Sequence, residues 1–271
     1  HSSAASDVYK RQEGCADLVK KIWDEVADEH KDLVLIKKGG NEAAIELAED
    51  QGIALFSATG SCDMGKALAP KVAKRLGRSL LELGGNNAAI VCKSADLDLT
   101  IKGITFSAAG TTGQRCTTLR RLFVHSEVHD IVLSKLKQSF SELKIGDPMD
   151  RNIQVGPLIS EQSFKQMQEK LTSCRSKGLT VTGGDRIDHA TEVYVTPAIV
   201  ETNEHIDEMH EETFAPILYV MPFTELKDAV NLQNSVKQGL SSSIFTNDVR
   251  ESEFFLGPEG SDCGIANVNI G

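Results

Sequence analysis

The 271-residue sequence lacks the features that mark several protein classes. No run of apolar residues approaches the roughly 18 that a membrane-spanning helix needs, so no membrane span is predicted. It has no collagen period, no heptad array and no repeat of roughly 20–50 residues, which excludes fibrous and repeat architectures. Basic residues are fewer than acidic ones, with 29 Lys and Arg compared with 39 Asp and Glu. The net charge of −10 would repel a phosphate backbone, so we expect no nucleic-acid partner.

The sequence also lacks the cysteine spacing of a metal site or of a disulfide framework. None of its six cysteines forms a C-x-x-C pair, and we expect no secretory signal peptide ahead of them. We therefore expect free thiols in a soluble intracellular protein, cytoplasmic or mitochondrial. His125 and His129 are the closest histidine pair. Because no cysteine stands near them, they predict surface histidines and no metal site.

Helical and extended patterns alternate along the rest of the chain. The patterns predict helices over residues 16–29, 42–49, 63–76, 94–110, 128–143, 164–176 and 226–234, and strands over 33–36, 53–57, 79–83, 88–91, 121–124, 217–223 and 241–245. Ser94 is the expected N-cap of the fourth helix. The repeated βα units predict an α/β fold with a parallel sheet covered by helices, beginning with a doubly wound, Rossmann-like half. Residues 267–271 alternate like the interior of a strand, whereas residues 1–15 indicate a tag, a linker or a ragged end.

The first candidate motif is Thr59-Gly60-Ser61-Cys62-Asp63-Met64-Gly65, between a predicted strand and a predicted helix. Gly60 allows a sharp turn, and the free N–H groups at the start of the helix favour a phosphate. The motif lacks one glycine of the G-x-G-x-x-G fingerprint, so a simple tight turn is the alternative.

The second motif is Glu82-Leu83-Gly84-Gly85, at the end of a predicted strand. Its glycines allow another backbone or a ligand to approach closely. Leu80, Leu81 and Leu83 flank Glu82. Burial among these leucines would favour the protonated form of the carboxyl group and suit it to general-base work. The alternative is a surface glutamate at a strand end.

The third motif is Gly113-Gln114-Arg115-Cys116-Thr117-Thr118. Here a cysteine follows a Gly-bounded turn of small residues, and Arg115 beside it would help to favour a thiolate. The alternative is an inert cysteine that packs as a small apolar side chain.

The fourth motif is Glu211-Glu212-Thr213-Phe214-Ala215-Pro216. It combines an acid, an aromatic and a proline just before a predicted buried strand. Taken alone, it predicts a loop that enters that strand.

Taken together and in this order, the four motifs resemble those of the aldehyde dehydrogenase superfamily, whose members carry F-T-G-S-x-x-x-G, E-L-G-G, G-Q-x-C and E-x-F-x-P. The resemblance covers about residues 16–271. Residues 82–88, 113–118, 212–218, 237–246 and 260–265 are similar to family 7, the antiquitin branch. The resemblance implies an aldehyde dehydrogenase-like fold. It also implies oxidation of a small-molecule aldehyde to a carboxylate, with α-aminoadipic semialdehyde of lysine catabolism or a related semialdehyde as substrate. NAD is the implied cofactor, and NADP is not excluded.

The resemblance further implies a role for each matched residue. Cys116 matches the nucleophile that forms a thiohemiacetal and then a thioester, and its backbone N–H would supply half of an oxyanion hole. Glu82 matches the base that activates Cys116 or the hydrolytic water. Gly60 and Ser61 match residues that meet the cofactor pyrophosphate, and Glu212 matches the acid that holds the nicotinamide ribose. The complete set of matched cofactor contacts is Gly60, Ser61, Gly65, Leu83, Glu212 and Phe214.

By the same resemblance, residues 16–85 are part of an NAD-binding domain and residues 86–271 are most of a catalytic domain, in a parent protein that forms a homotetramer. Ala58 replaces the phenylalanine that the family usually carries. The family's oxyanion-hole asparagine and adenosine-ribose lysine belong to upstream segments, and its aldehyde-anchoring loop belongs downstream. We therefore expect a fragment that lacks both ends and has little activity alone.

Two other functions are open at this point. A catalytically inactive protein would keep the same fold for binding or structure, without needing Cys116 or Glu82. A cysteine hydrolase would pair Cys116 with a histidine, but His125, the nearest one downstream, lies across a predicted strand. Glu42 and Glu46 are candidates for the adenosine ribose without a defined position.

Overall fold

The computed structural model describes residues 13–187 and 193–271. The chain divides between Gly84 and Gly85 into two compact units. Residues 1–12, most of the predicted N-terminal tag or ragged end, lie outside the described residues. The first helix begins at Glu13, three residues before the helix that the sequence predicts from residue 16.

The described part of the first unit contains three α-helices and a two-stranded parallel sheet. Its elements are α1 (Glu13–Val26), α2 (Asn41–Glu49), β1 (Leu55–Thr59), α3 (Cys62–Lys74) and β2 (Arg78–Glu82). β1 pairs with β2 in parallel, so α3 is the crossover of a β-α-β unit. A small core lies between these elements and consists of Ala44, Ala48, Phe56, Leu68 and Val72.

The strand predicted over residues 33–36 does not form. A 3-10 turn (Asp28–Leu33) occupies its start, and the residues after the turn have no regular structure. Leu33 and Leu35 are 65% and 68% exposed. The prediction is wrong because a short apolar run becomes a strand only where neighbouring strands pair with it and bury its side chains.

The second unit alternates strands and helices from Gly85 onwards. Its strands are β3 (Asn87–Val91), β4 (Leu119–His125), β5 (Thr180–Thr182), β6 (Arg186–Ile187), β7 (Tyr194–Val195), β8 (Ala198–Glu201), β9 (Ile217–Phe223), β10 (Ser241–Phe245) and β11 (Ile265–Val268). Its helices are α4 (Leu97–Ala109), α5 (His129–Ser141), α6 (Glu161–Ser176), α7 (Leu226–Asn234) and α8 (Val249–Leu256).

Seven of these strands form one sheet in the order β11-β10-β3-β4-β9-β8-β5. All neighbouring strands are parallel except β5, which is antiparallel to β8. β6 and β7 form a separate antiparallel pair. A parallel sheet whose strands alternate with helices is the arrangement that the repeated βα pattern predicts, so the α/β fold class is confirmed.

Helices cover both faces of the large sheet. In β3, Ala88 and Ile90 face a core shared with α6, α7 and α8, whereas Ala89 and Val91 face a core shared with α4 and α5. These four side chains are at most 2% exposed. A parallel strand that is buried on both faces is a continuous apolar run in the sequence. β9 is also such a strand, and its bounds were predicted correctly for that reason.

The N-cap predicted at Ser94 is wrong. Asp96 caps α4 instead, because its carboxylate accepts the N–H groups of Asp98 and Leu99 at 3.0 and 3.1 Å. The Ser94 hydroxyl pairs with the Thr246 hydroxyl at 2.9 Å, 152 residues away. A carboxylate also complements the positive end of the helix dipole, so Asp96 is the better cap of the two.

All six cysteines are free thiols. In the described part of the chain, none of the helices combines the length and the apolarity that a bilayer crossing requires.

Candidate active site

Three motif segments that precede neighbouring strands meet at one edge of the large sheet. Gly85 precedes β3, Cys116 precedes β4 and Glu212 precedes β9. β4 lies between β3 and β9 and is parallel to both. Parallel strands bring their amino ends to the same edge, so the topology alone gathers these three segments.

Cys116 lies in a turn whose backbone is fixed from two sides. The Thr118 N–H donates to the Arg115 carbonyl at 3.1 Å, and the Thr118 hydroxyl accepts the Arg115 N–H at 3.1 Å. From β3, the Asn87 side-chain amide donates to the carbonyls of Cys116 and Thr118 at 2.7 and 2.8 Å. The Cys116 side chain is half-buried, and no described residue accepts its backbone N–H. The thiol and the N–H are therefore both available on a rigid turn.

Two glycines allow backbones to approach closely around this turn. A Cβ on Gly85 would lie 2.3 Å from the Cys116 carbonyl oxygen, and a Cβ on Gly113 would lie 2.4 Å from the carbonyl group of Ala215. Gly113 also has a φ of +68°, which only glycine adopts without strain. Close approach of another backbone, one of the two explanations for the glycines of the second motif, is therefore found at Gly85.

Gln114 holds a neighbouring loop against the Cys116 turn. Its Nε2 donates to the Pro157 carbonyl at 3.1 Å, and its Oε1 accepts the Ile159 N–H at 2.9 Å. Thr112 has a φ of +55°, a conformation that β-branched residues rarely adopt, and its hydroxyl donates to the Gly156 carbonyl at 2.7 Å. The glutamine of the motif is thus a structural residue, and the loop at 156–159 holds the strained backbone before Cys116.

The Glu212 carboxylate has one fixed oxygen and one available oxygen. Oε1 accepts the Gly85 N–H at 3.3 Å and the Arg120 Nη2–H at 3.0 Å. Among the described residues, Oε2 has no hydrogen-bond partner, and the side chain is 18% exposed. The Phe214 ring centre lies 5.6 Å from the Arg120 guanidinium. The arrangement presents a single carboxylate oxygen to a hydroxyl-bearing ligand.

Sequence reasoning missed Arg120, which contacts both the Cys116 turn and Glu212. Its side chain is only 2% exposed. Burial lowers the pKa of the Arg120 guanidinium, while the neighbouring Glu212 carboxylate opposes that shift. The available signal was the pair Arg120-Arg121 at the start of an apolar strand. A charge in a strand that is buried on both faces requires partners, so this pair indicates a network.

Arg115 does not have the role that its position in the motif suggests. Its guanidinium lies 4.9 Å from the ring centre of Phe106, and its Nη2 donates to the Phe106 carbonyl at 3.2 Å. Arg115 is therefore committed to the end of α4 rather than to the Cys116 thiol.

In the first unit, the Gly60-Ser61 turn joins β1 to α3. The Ser61 hydroxyl accepts the N–H of the third residue of α3 at 3.1 Å and so caps the helix. The Gly60 N–H donates to the Glu82 carbonyl at 3.0 Å. A Cβ on Gly65 would lie 2.5 Å from Leu83 Cδ1, so a larger residue at position 65 would require the Leu83 side chain to move. The turn presents the positive end of a 13-residue helix, as an anion site requires.

Glu82 is the last residue of β2, opposite Thr59 of β1. Its side chain is exposed, and Leu80 is 52% exposed. The expectation that leucines bury Glu82 is therefore wrong. Alternate residues of a strand share a face, so Glu82 lies on the same open face as Leu80.

Three other residues singled out in the sequence lie elsewhere in the first unit. Glu42 lies in the first turn of α2, and Glu46 of the same helix pairs with Lys37. Ala58 lies in β1 and packs against the small core.

His125 does not form a catalytic pair with Cys116. His125 ends β4, and the seven residues of that strand span about 20 Å at roughly 3.3 Å per residue. The His125 ring packs against Phe223, with ring centres 5.4 Å apart. His129 contacts the Asp130 carboxylate at 3.1 Å. Within residues 13–187 and 193–271, no group of three or more His, Cys, Asp and Glu is placed to hold a metal ion.

Comparison with known proteins identifies a family. A family model described as "Aldehyde dehydrogenase family" matches residues 11–271. Among curated proteins, the alpha-aminoadipic semialdehyde dehydrogenase of Rattus norvegicus is 47% identical over 234 residues, which are 86% of this chain and 43% of that protein. The chain therefore spans less than half the length of this relative.

Solved structures show the same similarity. Lactaldehyde dehydrogenase from Escherichia coli superimposes with a TM-score of 0.88 and 30% identity, over 95% of this chain and 54% of that one. An NAD-dependent aldehyde dehydrogenase from Sinorhizobium meliloti superimposes with a TM-score of 0.83 and 28% identity, over 87% of this chain and 47% of that one. The expected aldehyde dehydrogenase-like fold is confirmed.

Proposed function

Because this chain belongs to the aldehyde dehydrogenase family, we propose that Cys116 is the nucleophile in an NAD-dependent oxidation of an aldehyde to a carboxylate. The observation that carries the proposal is the Cys116 turn. It holds a half-buried thiol, and no described residue accepts its backbone N–H. A nucleophile and an oxyanion donor on one fixed residue suit covalent acyl chemistry.

The reaction proceeds in two covalent stages. The Cys116 thiolate attacks the aldehyde carbon, and the carbonyl electron pair moves to oxygen, where the Cys116 N–H stabilises the thiohemiacetal oxyanion. Collapse of this oxyanion expels a hydride from the carbon and leaves a thioester. The acceptor for that hydride would be supplied by NAD when it is bound. Glu82 then takes a proton from water, hydroxide attacks the thioester carbon, and the Cys116 thiolate leaves as the carboxylate forms.

The residues proposed to hold NAD fit that group by their chemistry. In the first unit, the Ser61-capped start of α3 suits a pyrophosphate. Gly60 and Gly65 remove side-chain bulk at that turn, where Leu83 packs. In the second unit, the unpartnered Oε2 of Glu212 suits a ribose hydroxyl, and the aromatic ring of Phe214 lies nearby in the same segment.

The division of the chain between Gly84 and Gly85 supports the proposed domain assignment. Residues 16–85 form part of the NAD-binding domain, and residues 86–271 form most of the catalytic domain. The similarity to a protein named alpha-aminoadipic semialdehyde dehydrogenase supports that semialdehyde, or a related one, as the substrate. NAD rather than NADP is supported by the name of the Sinorhizobium meliloti protein. By the same family resemblance, the protein forms a homotetramer.

Peptide mass spectrometry tests the nucleophile. The protein that carries this sequence is mixed with NAD and α-aminoadipic semialdehyde, and NADH is followed before the reaction is quenched. We expect NADH and an acyl adduct on Cys116. Cys116→Ser is expected to remove the adduct and to lower the rate by about 10³-fold or more.

Cys263→Ser is the matched control, because Cys263 is also a half-buried free thiol of the second unit. This variant is expected to keep both signals. NADH formation that survives Cys116→Ser would contradict the proposal. NAD binding with neither NADH nor an adduct would instead indicate a catalytically inactive binding protein.

A further inference from the structure

Arg120 joins segments that are far apart in the sequence but adjacent at the amino edge of the sheet. All five N–H donors of its guanidinium meet acceptors. The acceptors are the carbonyls of Gly85 (3.4 Å), Gly113 (3.3 Å), Thr213 (2.6 Å) and Arg115 (3.2 Å), and Oε1 of Glu212 (3.0 Å). One side chain therefore fixes the segments before β3, β4 and β9.

An irregularity in the sheet places Arg120 in this position. Asn87 of β3 pairs with Leu119 of β4, but the next residue, Ala88, pairs with Arg121. Arg120 is thus the extra residue of a β-bulge. Bulges redirect side chains and are frequent beside active sites, because they release a residue from the regular alternation of the strand.

Arg120 and Arg121 are equally buried, and of the two it is Arg120 that pairs with a carboxylate among the described residues. Removing a guanidinium from water is costly unless it is paired and hydrogen-bonded, and an apolar side chain at the same position avoids that cost. The partner of Arg120 is Glu212, whose Oε1 also accepts the Gly85 N–H. The two donors hold the carboxylate in one orientation, with Oε2 left for a ligand.

We propose that Arg120 is a positioning residue that fixes the Glu212 carboxylate and the Cys116 turn in one arrangement, so that the cofactor-ribose contact and the nucleophile keep a constant relation. The inference rests on the proposed function, in which Glu212 binds NAD. Lysine cannot replace this arginine, because an ammonium has three donors and no planar fork for five acceptors.

A double-mutant cycle on NAD affinity tests the inference. Arg120→Lys and Glu212→Ala are each expected to raise the Kd for NAD about tenfold, as loss of a charged hydrogen bond does. If Arg120 acts through Glu212, the double variant binds NAD as Glu212→Ala does, within about twofold. A Kd that rises by the product of the two single effects contradicts the inference.

Arg121→Lys is the matched control. Arg121 is an equally buried neighbour, and it donates to the backbone carbonyls of Asn86, Leu232 and Gln233. It is not bonded to Glu212 among the described residues. We expect Arg121→Lys and Glu212→Ala to change the Kd for NAD independently, so that their effects multiply in the double variant. If Arg121→Lys were instead as non-additive with Glu212→Ala as Arg120→Lys is, the effect would be a general structural one and the inference would be overturned.

A second measurement needs no substitution at Arg120 and therefore does not depend on a stable Arg120 variant. The measurement is NMR of protein that contains 15N-labelled arginine. The guanidinium signal of Arg120 is assigned as the one that is protected from exchange and that changes when Glu212 is replaced by Ala. We expect this signal to shift when NAD is added to the unsubstituted protein and not in Glu212→Ala. If the chemical shift of this signal does not change at saturating NAD, the inference is overturned.

The two levels of the proposal fail in different ways. NAD affinity that is absent, or that is unchanged by Glu212→Ala, overturns the proposed cofactor contact and the inference with it. A normal loss of affinity in Glu212→Ala, together with additive effects of Arg120→Lys, overturns the positioning role alone.

Discussion

The Asn87 amide donates to the Cys116 carbonyl at 2.7 Å, and this hydrogen bond joins β3 to the turn that carries the thiol. The same amide donates to the Thr118 carbonyl, and its Oδ1 accepts the Ser241 N–H at 3.1 Å. Asn87 therefore connects the amino ends of β3, β4 and β10, three adjacent strands of the sheet. The Asn87 side chain is short and buried. Among the described residues, none of the longer side chains in the four motifs connects these three strands.

Asn87→Ala is expected to lower the free energy of unfolding by about 2–4 kcal/mol, because three buried or partly buried hydrogen bonds are lost. It is also expected to slow Cys116 acylation more than the loss of folded protein explains. Urea denaturation and single-turnover kinetics measure the two effects. Asn152→Ala is the control, since its side chain is exposed and bonds only to Asp150 among the described residues. Equal effects of both substitutions would refute the role of Asn87.

Gly85→Ala is expected to destabilise the second unit by about 3 kcal/mol, since the new methyl group would meet backbone that cannot move aside. The contact is the Cys116 carbonyl oxygen, 2.3 Å from the Cβ position. Gly264→Ala is the matched control, because its nearest neighbours would lie at 3.7 and 3.8 Å. Thermal melts compare the two variants, and equal melting temperatures would disprove the close approach at Gly85.

Acid is expected to destabilise the second unit through His205. Burial lowers the pKa of His205 from 6.5 to about 4, and the nearby Arg121 and His210 add to the shift. Between these two values the unfolded chain binds a proton that the folded chain does not bind. The free energy of unfolding therefore decreases as the pH falls from 6.5 to about 4.

His205→Gln is expected to flatten this pH dependence, whereas His30→Gln, at an exposed histidine, is expected to leave it unchanged. Urea denaturation at a series of pH values, followed by circular dichroism, measures the slope. The same slope with and without His205 would rule out this histidine as its source.

Ser61→Asp is expected to keep α3 capped but to weaken NAD binding about tenfold or more, because a second negative charge would face the pyrophosphate. Ser160→Asp is the matched control, since Ser160 caps α6 in the same way by accepting the Ser163 N–H at 3.2 Å. Isothermal titration calorimetry with NAD separates the two sites. Unchanged affinity in Ser61→Asp would exclude the start of α3 as the phosphate site.

The sequence predicts those parts of the fold that depend on local pattern. Seven apolar and aromatic-rich residues define β9, and the fold class follows from the repeated βα units. Leu33 and Leu35 have the same local pattern as a strand, but none of the described strands pairs with them and they stay exposed. Ser94 also has the local pattern of a helix cap. It does not act as one, because its hydroxyl pairs with Thr246, a residue that is distant in the sequence.

The same limit applies to the candidate site, where the roles of the residues stay predictions. Motif resemblance selects Cys116 and Glu212, but it does not show what holds them. The networks of Asn87 and Arg120 depend on which strands become neighbours, and strand order is a property of the folded sheet. Arg120 is further hidden by the bulge, since a regular strand would turn its side chain to the other face.

The meeting of Gly85, Cys116 and Glu212 at the amino ends of three strands has a consequence for where this protein tolerates insertions. The loops at the carboxyl ends of the same strands, such as the exposed turn at Glu127 after β4, are not needed to set the distances between these residues. Extra residues there change the length of the chain but not the register of the sheet. The same number of extra residues inserted between Gly113 and Cys116 would displace the thiol directly.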